Sequence, residues 1–147
     1  MELVSIKRTL KENEEFADEI GCKENLPVTI QYFDAIGYYP PWIGYYAKEN
    51  NLLVGAAAFK GRPVNNKVEI AYGTFEPYQH KGYGAMICKL LVELSLKTDP
   101  SIAITARTLP EKNYSTRILE RNGFELLGVV FDIDDGDVWE WRYIKKD

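Results

Sequence analysis

The sequence predicts an α/β domain whose central sheet is mixed, mostly antiparallel and flanked by about four helices. A strand pattern at Lys67 to Phe75, a helix pattern at Gly84 to Leu96 and a strand pattern at Ile102 to Ala106 form a β-α-β unit, whose strands should pair in parallel. Two other pairs of strand-like segments predict antiparallel hairpins. With 147 residues and 46% hydrophobic content, we expect a single domain over residues 1–147.

The N-terminal part of the chain predicts one strand and two helices. Residues 2–7 alternate loosely, as a strand does. The acidic, proline-free stretch from Glu12 to Ile20 precedes Gly21, and glycine is common at helix ends. Pro27 suits the start of a second helix that ends at Gly37. The aromatic residues around this helix either line a pocket or cover the sheet.

Two strand patterns follow, and they are joined by a turn. Ile43 to Lys48 and Leu52 to Lys60 are rich in β-forming or small apolar residues, and Glu49-Asn50-Asn51 between them predicts a hairpin. In the next strand, from Lys67, successive side chains point to opposite faces. Tyr72 therefore shares a face with the apolar residues of this strand, and Glu69 lies on the other face.

The C-terminal part predicts a short helix and a last hairpin. Asn113 precedes the helix pattern, and Gly123 ends it. Phe124 to Ile133 and Val138 to Ile144 form the hairpin strands. The acidic stretch from Asp132 to Asp137 between them does not fit a calcium loop, because its glycine comes at the fifth position instead of the sixth. We therefore expect a hairpin tip and no metal.

Composition excludes several functional classes. The 18 Lys plus Arg against 22 Asp plus Glu give a formal charge of -4, so we expect no general nucleic-acid binding. No apolar run approaches the roughly 20 residues that span a bilayer, so we expect no membrane association. Met1 to Ser5 lacks the features of a signal peptide, which predicts a cytoplasmic protein. Cys22 and Cys88 lack metal or redox spacing and are expected to be free thiols.

The junction between the Lys67 strand and the Gly84 helix, Gln79-His80-Lys81-Gly82-Tyr83-Gly84, is suited to an anion. Glycines at positions 82 and 84 let a ligand approach the main chain, and the first amides of the helix have no intrahelical acceptor. Such amides, with the positive end of the helix dipole, favour phosphate groups. The dinucleotide fingerprint fails because Ile87 replaces its third glycine, and the P-loop ending is absent.

This loop resembles the acyl-coenzyme A loop of the GNAT superfamily of N-acetyltransferases, Gln/Arg-x-x-Gly-x-Gly/Ala, at each defined place. The stretch from Asn113 to Phe124 is similar to the Asn-x-Ser helix and Gly-Phe ending of many members, particularly ribosomal-protein N-acetyltransferases. The resemblance covers about residues 67 to 124. It implies that the two parallel strands splay apart and that their exposed amides hold the pantetheine and the thioester.

The resemblance also implies a set of residues that contact acetyl-coenzyme A. The thioester would lie near Ala71 to Thr74, and Asn113 matches a coenzyme A contact but is also an ordinary capping residue. His80 replaces a glycine that is frequent in this loop, and a solvated side chain is its alternative role. The implied cofactor-binding residues are Thr74, Gln79, His80, Lys81, Gly82, Tyr83, Gly84 and Asn113.

Two catalytic roles follow from the chemistry of acetyl transfer. A general base must take a proton from the amine, and a donor must protonate the leaving thiolate. Glu69 lies upstream of the loop on the right strand and is expected to be the base, with a surface ion pair as its alternative role. Many members use a late-helix tyrosine as the donor, but Ile118 and Leu119 occupy that region here. Tyr114 is the expected donor, although Tyr72 and water are alternatives.

The sequence thus predicts an N-acetyltransferase that transfers an acetyl group from acetyl-coenzyme A to a primary amine by direct attack. The acceptor is a small molecule or a peptide N-terminus, and the protein is expected to be a monomer or a homodimer. The alternative is a GNAT-fold module that binds an acyl-coenzyme A without transfer, as a sensor or a partner-binding domain. The missing helix tyrosine keeps this alternative open.

Overall fold

The computed structural model describes residues 1–144, and over these residues seven strands form one sheet accompanied by three α-helices and two short 3-10 segments. The strands are β1 (Glu2–Ser5), β2 (Gly44–Glu49), β3 (Leu52–Phe59), β4 (Lys67–Thr74), β5 (Ala103–Thr108), β6 (Phe124–Asp132) and β7 (Gly136–Tyr143). The helices are α1 (Cys22–Ile36), α2 (Tyr83–Thr98) and α3 (Tyr114–Arg121), and the 3-10 segments are Lys11–Phe16 and Glu76–Tyr78.

The strand order in the sheet is β1-β2-β3-β4-β5-β7-β6. Neighbouring strands are antiparallel except for β4 and β5, which are parallel because α2 carries the chain back across the sheet between them. The mixed, mostly antiparallel sheet with one parallel pair, which the sequence predicts, is therefore confirmed.

The parallel pair separates along its length. Pairing between β4 and β5 runs from Lys67 opposite Ala103 to Ile70 opposite Ala106. Within residues 1–144, β4 beyond that point pairs only with β3 as far as Thr74, and β5 pairs only with β7 as far as Thr108. A gap therefore opens between the carboxyl-terminal ends of β4 and β5, where alternate backbone amides and carbonyls face the opening.

Helix α2 packs its apolar stripe against the sheet. Ile87, Cys88 and Leu91 are fully buried. The close approach requires a glycine in β3, because a Cβ atom at Gly55 would overlap the Gly73 carbonyl and come within 2.9 Å of Ile87 Cδ1. No helix in residues 1–144 is both long and apolar enough to cross a bilayer.

The N-terminal helices differ from the sequence prediction. The segment predicted as a helix over Glu12 to Ile20 is a 3-10 segment at Lys11–Phe16, interrupted at Asn13 (φ -103°, ψ 20°). The buried Asn13 amide causes this interruption, since its Oδ1 accepts from Lys7 N at 2.8 Å and its Nδ2 donates to Thr9 O at 2.7 Å. These bonds compete with helical geometry.

Helix α1 begins at Cys22 instead of at the predicted Pro27. Gly21, at φ 86°, reverses the chain directly before the helix. Pro27 lies inside the helix but near its start, so its missing N–H removes one backbone hydrogen bond there without ending the helix. Leu26, Ile30 and Phe33 then form the buried side of α1.

Candidate functional site

A cavity of about 350 Å³ lies at the end of β4, and the β4 residues that line it come after Ile70, the last β4 residue paired with β5. The end of β4, the loop that follows it, the start of α2 and the first turns of α3 all contribute to its walls. The lining residues are Tyr72, Gly73, Thr74, Tyr78, Gln79, His80, Tyr83, Gly84, Tyr114, Ser115 and Ile118.

The fold brings most of the predicted cofactor-binding residues to this cavity, although their roles stay predictions. Six predicted residues, including the predicted donor Tyr114, line it: Thr74, Gln79, His80, Tyr83, Gly84 and Tyr114. Lys81 and Gly82 are exposed on the same loop, and Asn113 directly precedes α3. Tyr78 was missed by the sequence reasoning, although its position next to Gln79 is a signal that it belongs to the loop.

Among the described residues 1–144, the first amides of α2 have no backbone acceptor, and they lie at this cavity. Met86 N makes the first backbone bond of the helix, to Gly82 O at 3.5 Å, so the amides at positions 83–85 precede the helical ladder. Within the described chain no side chain caps this end of α2, and the first turn has no acidic residue. These features, with Lys81 beside them, suit a phosphate or pyrophosphate group.

Gly82 leaves the approach to these amides open. Its backbone is left-handed, with φ 82° and ψ 4°. A Cβ atom at Gly82 would meet no other heavy atom within 4 Å, so the space in front of the helix start is free for a ligand. At the next glycine, Gly84, a Cβ atom would lie 2.7 Å from Ile118 Cδ1, so α2 and α3 meet closely across the cavity floor.

The loop is held against β4 by side-chain contacts. Gln79 Nε2 donates to the carbonyl oxygen of Thr74 at 3.2 Å. His80 adopts a left-handed backbone at φ 66°, and its ring lies 6.3 Å from the Tyr114 ring across the cavity. The loop and the start of α3 therefore face each other over the cavity.

Tyr72 joins the sheet side of the cavity to α2. Its hydroxyl hydrogen-bonds with the Cys88 thiol. Burial raises the pKa of Tyr72 well above its ordinary value and raises the pKa of Cys88 to about 12. Both groups therefore stay protonated and neutral near pH 7, and Tyr72 is a poor acid for a leaving thiolate.

The structure places Glu69 apart from this cavity, on the opposite face of β4. Its carboxylate lines a second cavity, of about 410 Å³. Lys60 Nζ lies 2.9 Å from Glu69 Oε2, and Arg107 Nε lies 3.7 Å from Glu69 Oε1. Glu69 therefore forms the ion pair that the sequence analysis gave as its alternative role. Its role as the general base stays a prediction. Partial burial lowers the pKa of Lys60, but Glu69 outweighs this and the pKa is raised overall.

Arg107 connects the strands around Glu69. Its Nη1 donates to Asp132 Oδ2 at 2.8 Å, and its Nε lies 3.9 Å from Glu140 Oε1. The hydrogen bond to Asp132 raises the pKa of Arg107 further. The sequence reasoning missed both Lys60 and Arg107. The alternation of β5 was a signal for Arg107, because Thr105 pairs with Glu69 and Arg107, two residues later, lies on the same face of the sheet.

Asp132 anchors the tip of the β6–β7 hairpin. Its Oδ1 accepts backbone hydrogen bonds from Asp134 N at 2.9 Å and Asp135 N at 3.2 Å. The bond from Asp134, followed by the bond from Arg107, lowers the pKa of Asp132 below its ordinary value. The ionised carboxylate thus ties the hairpin tip to β5.

Asp132→Asn should reduce stability at neutral pH and weaken the loss of stability in acid. A carboxylate with a lowered folded-state pKa stabilises the fold above its unfolded pKa of about 3.9, and this stabilisation is lost as the pH falls through the folded value. Urea unfolding midpoints measured between pH 3 and pH 7 check this. Asp135→Asn, whose side chain is exposed, is the control, and an equal slope for Asp132→Asn and the native protein would contradict the assignment.

Asn113 caps α3. Its Oδ1 accepts from Thr116 N at 3.2 Å, and Thr116 Oγ1 accepts from Asn113 N at 2.9 Å, which makes a reciprocal capping box. The capping role that the sequence left open is therefore present, and a contact with coenzyme A stays a prediction.

Asn113→Ala should lower stability by about 1 kcal/mol through loss of the cap. If the side chain also contacts coenzyme A, the dissociation constant should rise as well. Calorimetric titration with coenzyme A and urea unfolding of the same variant separate the two effects. Thr116→Val removes the reciprocal side-chain bond from the box and serves as the control. An unchanged coenzyme A affinity in Asn113→Ala would limit the residue to capping.

The described residues contain no cluster of side chains that could bind a metal ion. Among residues 1–144, no three His, Cys, Asp or Glu side chains lie close enough together to hold a metal ion. Cys22 and Cys88 are both buried free thiols.

Solved structures show the same fold. A Bacillus subtilis acetyltransferase in complex with coenzyme A matches 99% of this chain and 97% of its own, with a TM-score of 0.67 and 16% identity. The ribosomal L7/L12 alpha-N-protein acetyltransferase RimL, in complex with coenzyme A, matches 83% of this chain and 70% of its own, with a TM-score of 0.65 and 19% identity.

The aminoglycoside acetyltransferase AAC(6')-Ib, in complex with coenzyme A, matches 70% of this chain with a TM-score of 0.61 and 22% identity. This chain spans 66% of that enzyme's length, about two thirds.

The sequence comparisons identify the family. A curated Bacillus subtilis (strain 168) protein, the uncharacterized N-acetyltransferase YjdG, is 25% identical over 151 residues, which cover 92% of this chain and 86% of that protein. The family model of the acetyltransferase (GNAT) domain matches residues 6–125, which include β4, the loop over residues 79–84 and α3. The chain therefore belongs to the GNAT family of acetyltransferases, as its loop and α3 motifs predict.

Proposed function

We propose that this protein transfers an acetyl group from acetyl-coenzyme A to a primary amine by direct attack. The observation that carries the proposal is the gap between β4 and β5, which opens beside the cavity that the unbonded amides of α2 reach. Bound acetyl-coenzyme A would supply an activated thioester. The residues of this chain would hold it, admit the amine and move the protons.

The phosphate groups would be held by the loop and the start of α2. The amides at positions 83–85 have no helical partner, and Gly82 keeps the approach free of side chains. Lys81 would add a positive charge that favours phosphate. The pantetheine arm would extend along the free edge of β4, between Ala71 and Thr74, where the amides lack a β5 partner. Holding thioester and amine together there would supply much of the rate.

The amine would enter from the face of the sheet that carries Glu69. The charges of Lys60 and Glu69 both influence Tyr32 of α1: burial raises the pKa of its hydroxyl, Lys60 lowers it and Glu69 raises it further. To act as the general base, Glu69 would exchange its contact with Lys60 for the ammonium group of the acceptor. It would then accept the proton directly or through water.

Tyr114 is the proposed proton donor for the leaving thiolate. It lines the cavity and is 42% exposed, so its hydroxyl remains accessible. Ile118 lies one helical turn further along α3 and contributes only an apolar wall. Tyr72 is less suited, since its raised pKa makes it a weaker acid.

The proposed acceptors are cationic amines, either small molecules or peptide N-termini, in a cytoplasmic setting. An acidic depression of about 710 Å³ begins at Phe75, directly after Thr74, and would attract such acceptors. Four carboxylates line it against one lysine, Lys23, so acidic groups predominate: Asp18, Glu19, Glu24 and Glu76. Two structural neighbours are named for amine acceptors of these two kinds, aminoglycosides and a ribosomal protein.

Thiol release tests the proposal. The purified protein would be mixed with acetyl-coenzyme A and, separately, with polyamines, aminoglycosides, amino acids and short peptides. We expect amine-dependent release of free coenzyme A and a product that has gained one acetyl group by mass spectrometry. Acetyl-coenzyme A without an amine is the control. Binding of acetyl-coenzyme A with no release for any amine would contradict transfer.

A second candidate function is an acyl-coenzyme A sensor that performs no transfer. The ion pairs of Glu69 with Lys60 and Arg107 favour it, because they occupy the carboxylate that would accept the proton. The apolar Ile118 on the α3 wall of the cavity favours it as well. Binding of acetyl-coenzyme A without turnover would support this function.

A further inference from the structure

Strand β6 carries large apolar side chains that face solvent. Val129 is 62% exposed, Phe131 74% and Ile133 90%, and alternation places these three on one face of the strand and its turn. Leu127, beside the irregularity between Leu126 and Gly128, is 57% exposed. We call Leu127, Val129, Phe131 and Ile133 the apolar strip. Contiguous exposed residues of this kind mark interaction surfaces.

The strip lies on an edge of the sheet. β6 is the last strand in the order and pairs only with β7 over residues 1–144. Its outer row of N–H and C=O groups is therefore available to a further strand. Edge strands are usually protected by proline, by inward charges, by β-bulges or by shortness, and the irregularity of β6 between Leu126 and Gly128 leaves Val129 to Asp132 in regular register. β6 is nine residues long and has no proline.

Charges at the two ends of β6 are of opposite sign. The acidic tip of the hairpin carries Asp134, Asp135 and Asp137, whereas the other end of the hairpin carries Arg121 and Arg142. Within residues 1–144 none of these five side chains forms an ion pair. When a second copy is rotated so that its β6 runs in the opposite direction, its basic end meets the acidic tip of the first copy. The charges of the two copies are then complementary.

We propose that the apolar strip is the interface of a homodimer in which β6 of two copies pairs antiparallel about a two-fold axis near Val129. Such an isologous contact sets the two strips side by side on one face of the continuous sheet, where their side chains pack across the new strand pair, and it brings each acidic tip to the partner's basic end. Two acidic residues also lie at the basic end and would repel the partner's acidic tip. The charge of Glu120 is already offset by Lys112 at 3.9 Å, so Glu125 is the one whose repulsion remains. This proposal does not depend on the proposed function.

The dimer would also support the charged face around Glu69. The hairpin tip is tied to β5 through Asp132 and Arg107, and Arg107 lies beside Glu69. A partner strand that holds β6 would therefore hold the same tip in place. The expected consequence is that the loss of the dimer loosens the hairpin tip.

Mass measurement tests the interface. Light scattering with size-exclusion chromatography over a concentration series should give twice 16.9 kDa for the native protein. Phe131→Asp, which sets a charge opposite the partner's Leu127 in the apolar strip, should give the monomer mass. Val28→Asp, at a comparably exposed apolar residue of α1 (64%), should remain a dimer. Circular dichroism checks that both variants are folded.

Three outcomes overturn the proposal. A native mass of 16.9 kDa throughout the series would show that the strip does not join two copies and serves another partner or none. A Phe131→Asp protein that stays dimeric would place the dimer contact on another face. A folded Val28→Asp protein that becomes monomeric would do the same.

A cross-link tests the pairing. The Cα atoms of residues opposed across an antiparallel pair lie about 4.5–5.5 Å apart, within the range that a disulfide spans. Val129→Cys should therefore form a covalent dimer under mild oxidation, while Cys22 and Cys88 are buried and should not react. Val64→Cys, at a 67% exposed residue away from β6, is the control. Equal cross-linking of both variants would reject pairing near Val129.

Discussion

Acetyl-coenzyme A should raise the melting temperature of the native protein, and Gly82→Val should abolish this rise. A ligand that binds only the folded state adds about 2.7 kcal/mol at a hundredfold excess over its dissociation constant. At Gly82 a side chain would enter the open space before the unbonded amides of α2. Thermal melts with and without acetyl-coenzyme A measure the effect.

Gly136 offers a matched control for the same substitution. It has a similar left-handed backbone, φ 73° against 82°, and a Cβ atom there would also meet no heavy atom within 4 Å. Gly136→Val at the hairpin tip should therefore cost a similar backbone strain, of about 1–3 kcal/mol, and keep the ligand-dependent rise. A Gly82→Val protein that keeps the full rise would count against the loop as the phosphate site.

Glu69→Gln should lower turnover by about a hundredfold to ten-thousandfold while the affinity for acetyl-coenzyme A stays nearly unchanged. The substitution preserves size and removes the proton acceptor. Glu69 lines the second cavity and not the one at the loop, which is the reason for unchanged cofactor binding. Steady-state rates and calorimetric titration of the variant measure the two quantities.

Glu140→Gln controls for the loss of a charge from the same cluster. Glu140 lies 3.9 Å from Arg107 Nε and lines the same cavity as Glu69, but it is on β7, away from the free edge of β4. Its neutral variant should keep most of the turnover. Rates measured over pH with two amines of different basicity separate enzyme and substrate titration. Near-native turnover and an unchanged pH profile for Glu69→Gln would remove Glu69 from the mechanism.

The centre of the fold could be predicted because its signals are local. The alternation of β4, the glycines at 82 and 84 and the apolar stripe of α2 each act within a few residues, and together they predict the crossover that the structure has. The N-terminal helices depend instead on distant contacts. Asn13 leaves the helical conformation to bond Lys7 and Thr9, and no pattern within that segment predicts this.

The two faces of the site differ in the same way. The cofactor side follows one continuous stretch, so its residues could be listed from sequence. The surroundings of Glu69 could not, because Lys60 and Arg107 reach it only when β3 and β5 are placed on either side of β4. The ion pairs that occupy the Glu69 carboxylate therefore depend on the order of the strands in the sheet, which the sequence pattern does not give.

Backbone hydrogen exchange with and without acetyl-coenzyme A tests most directly whether the gap between β4 and β5 holds the donor. We expect slower exchange in peptides that cover residues 71–74 and 83–85, because the alternate β4 amides that face the gap have no β5 partner and the amides at 83–85 have no helical acceptor until the donor binds. Peptides that cover the acidic depression at residues 18–20 should not change. Protection confined to regions outside β4 and the start of α2, or no protection at saturating acetyl-coenzyme A, would contradict the account.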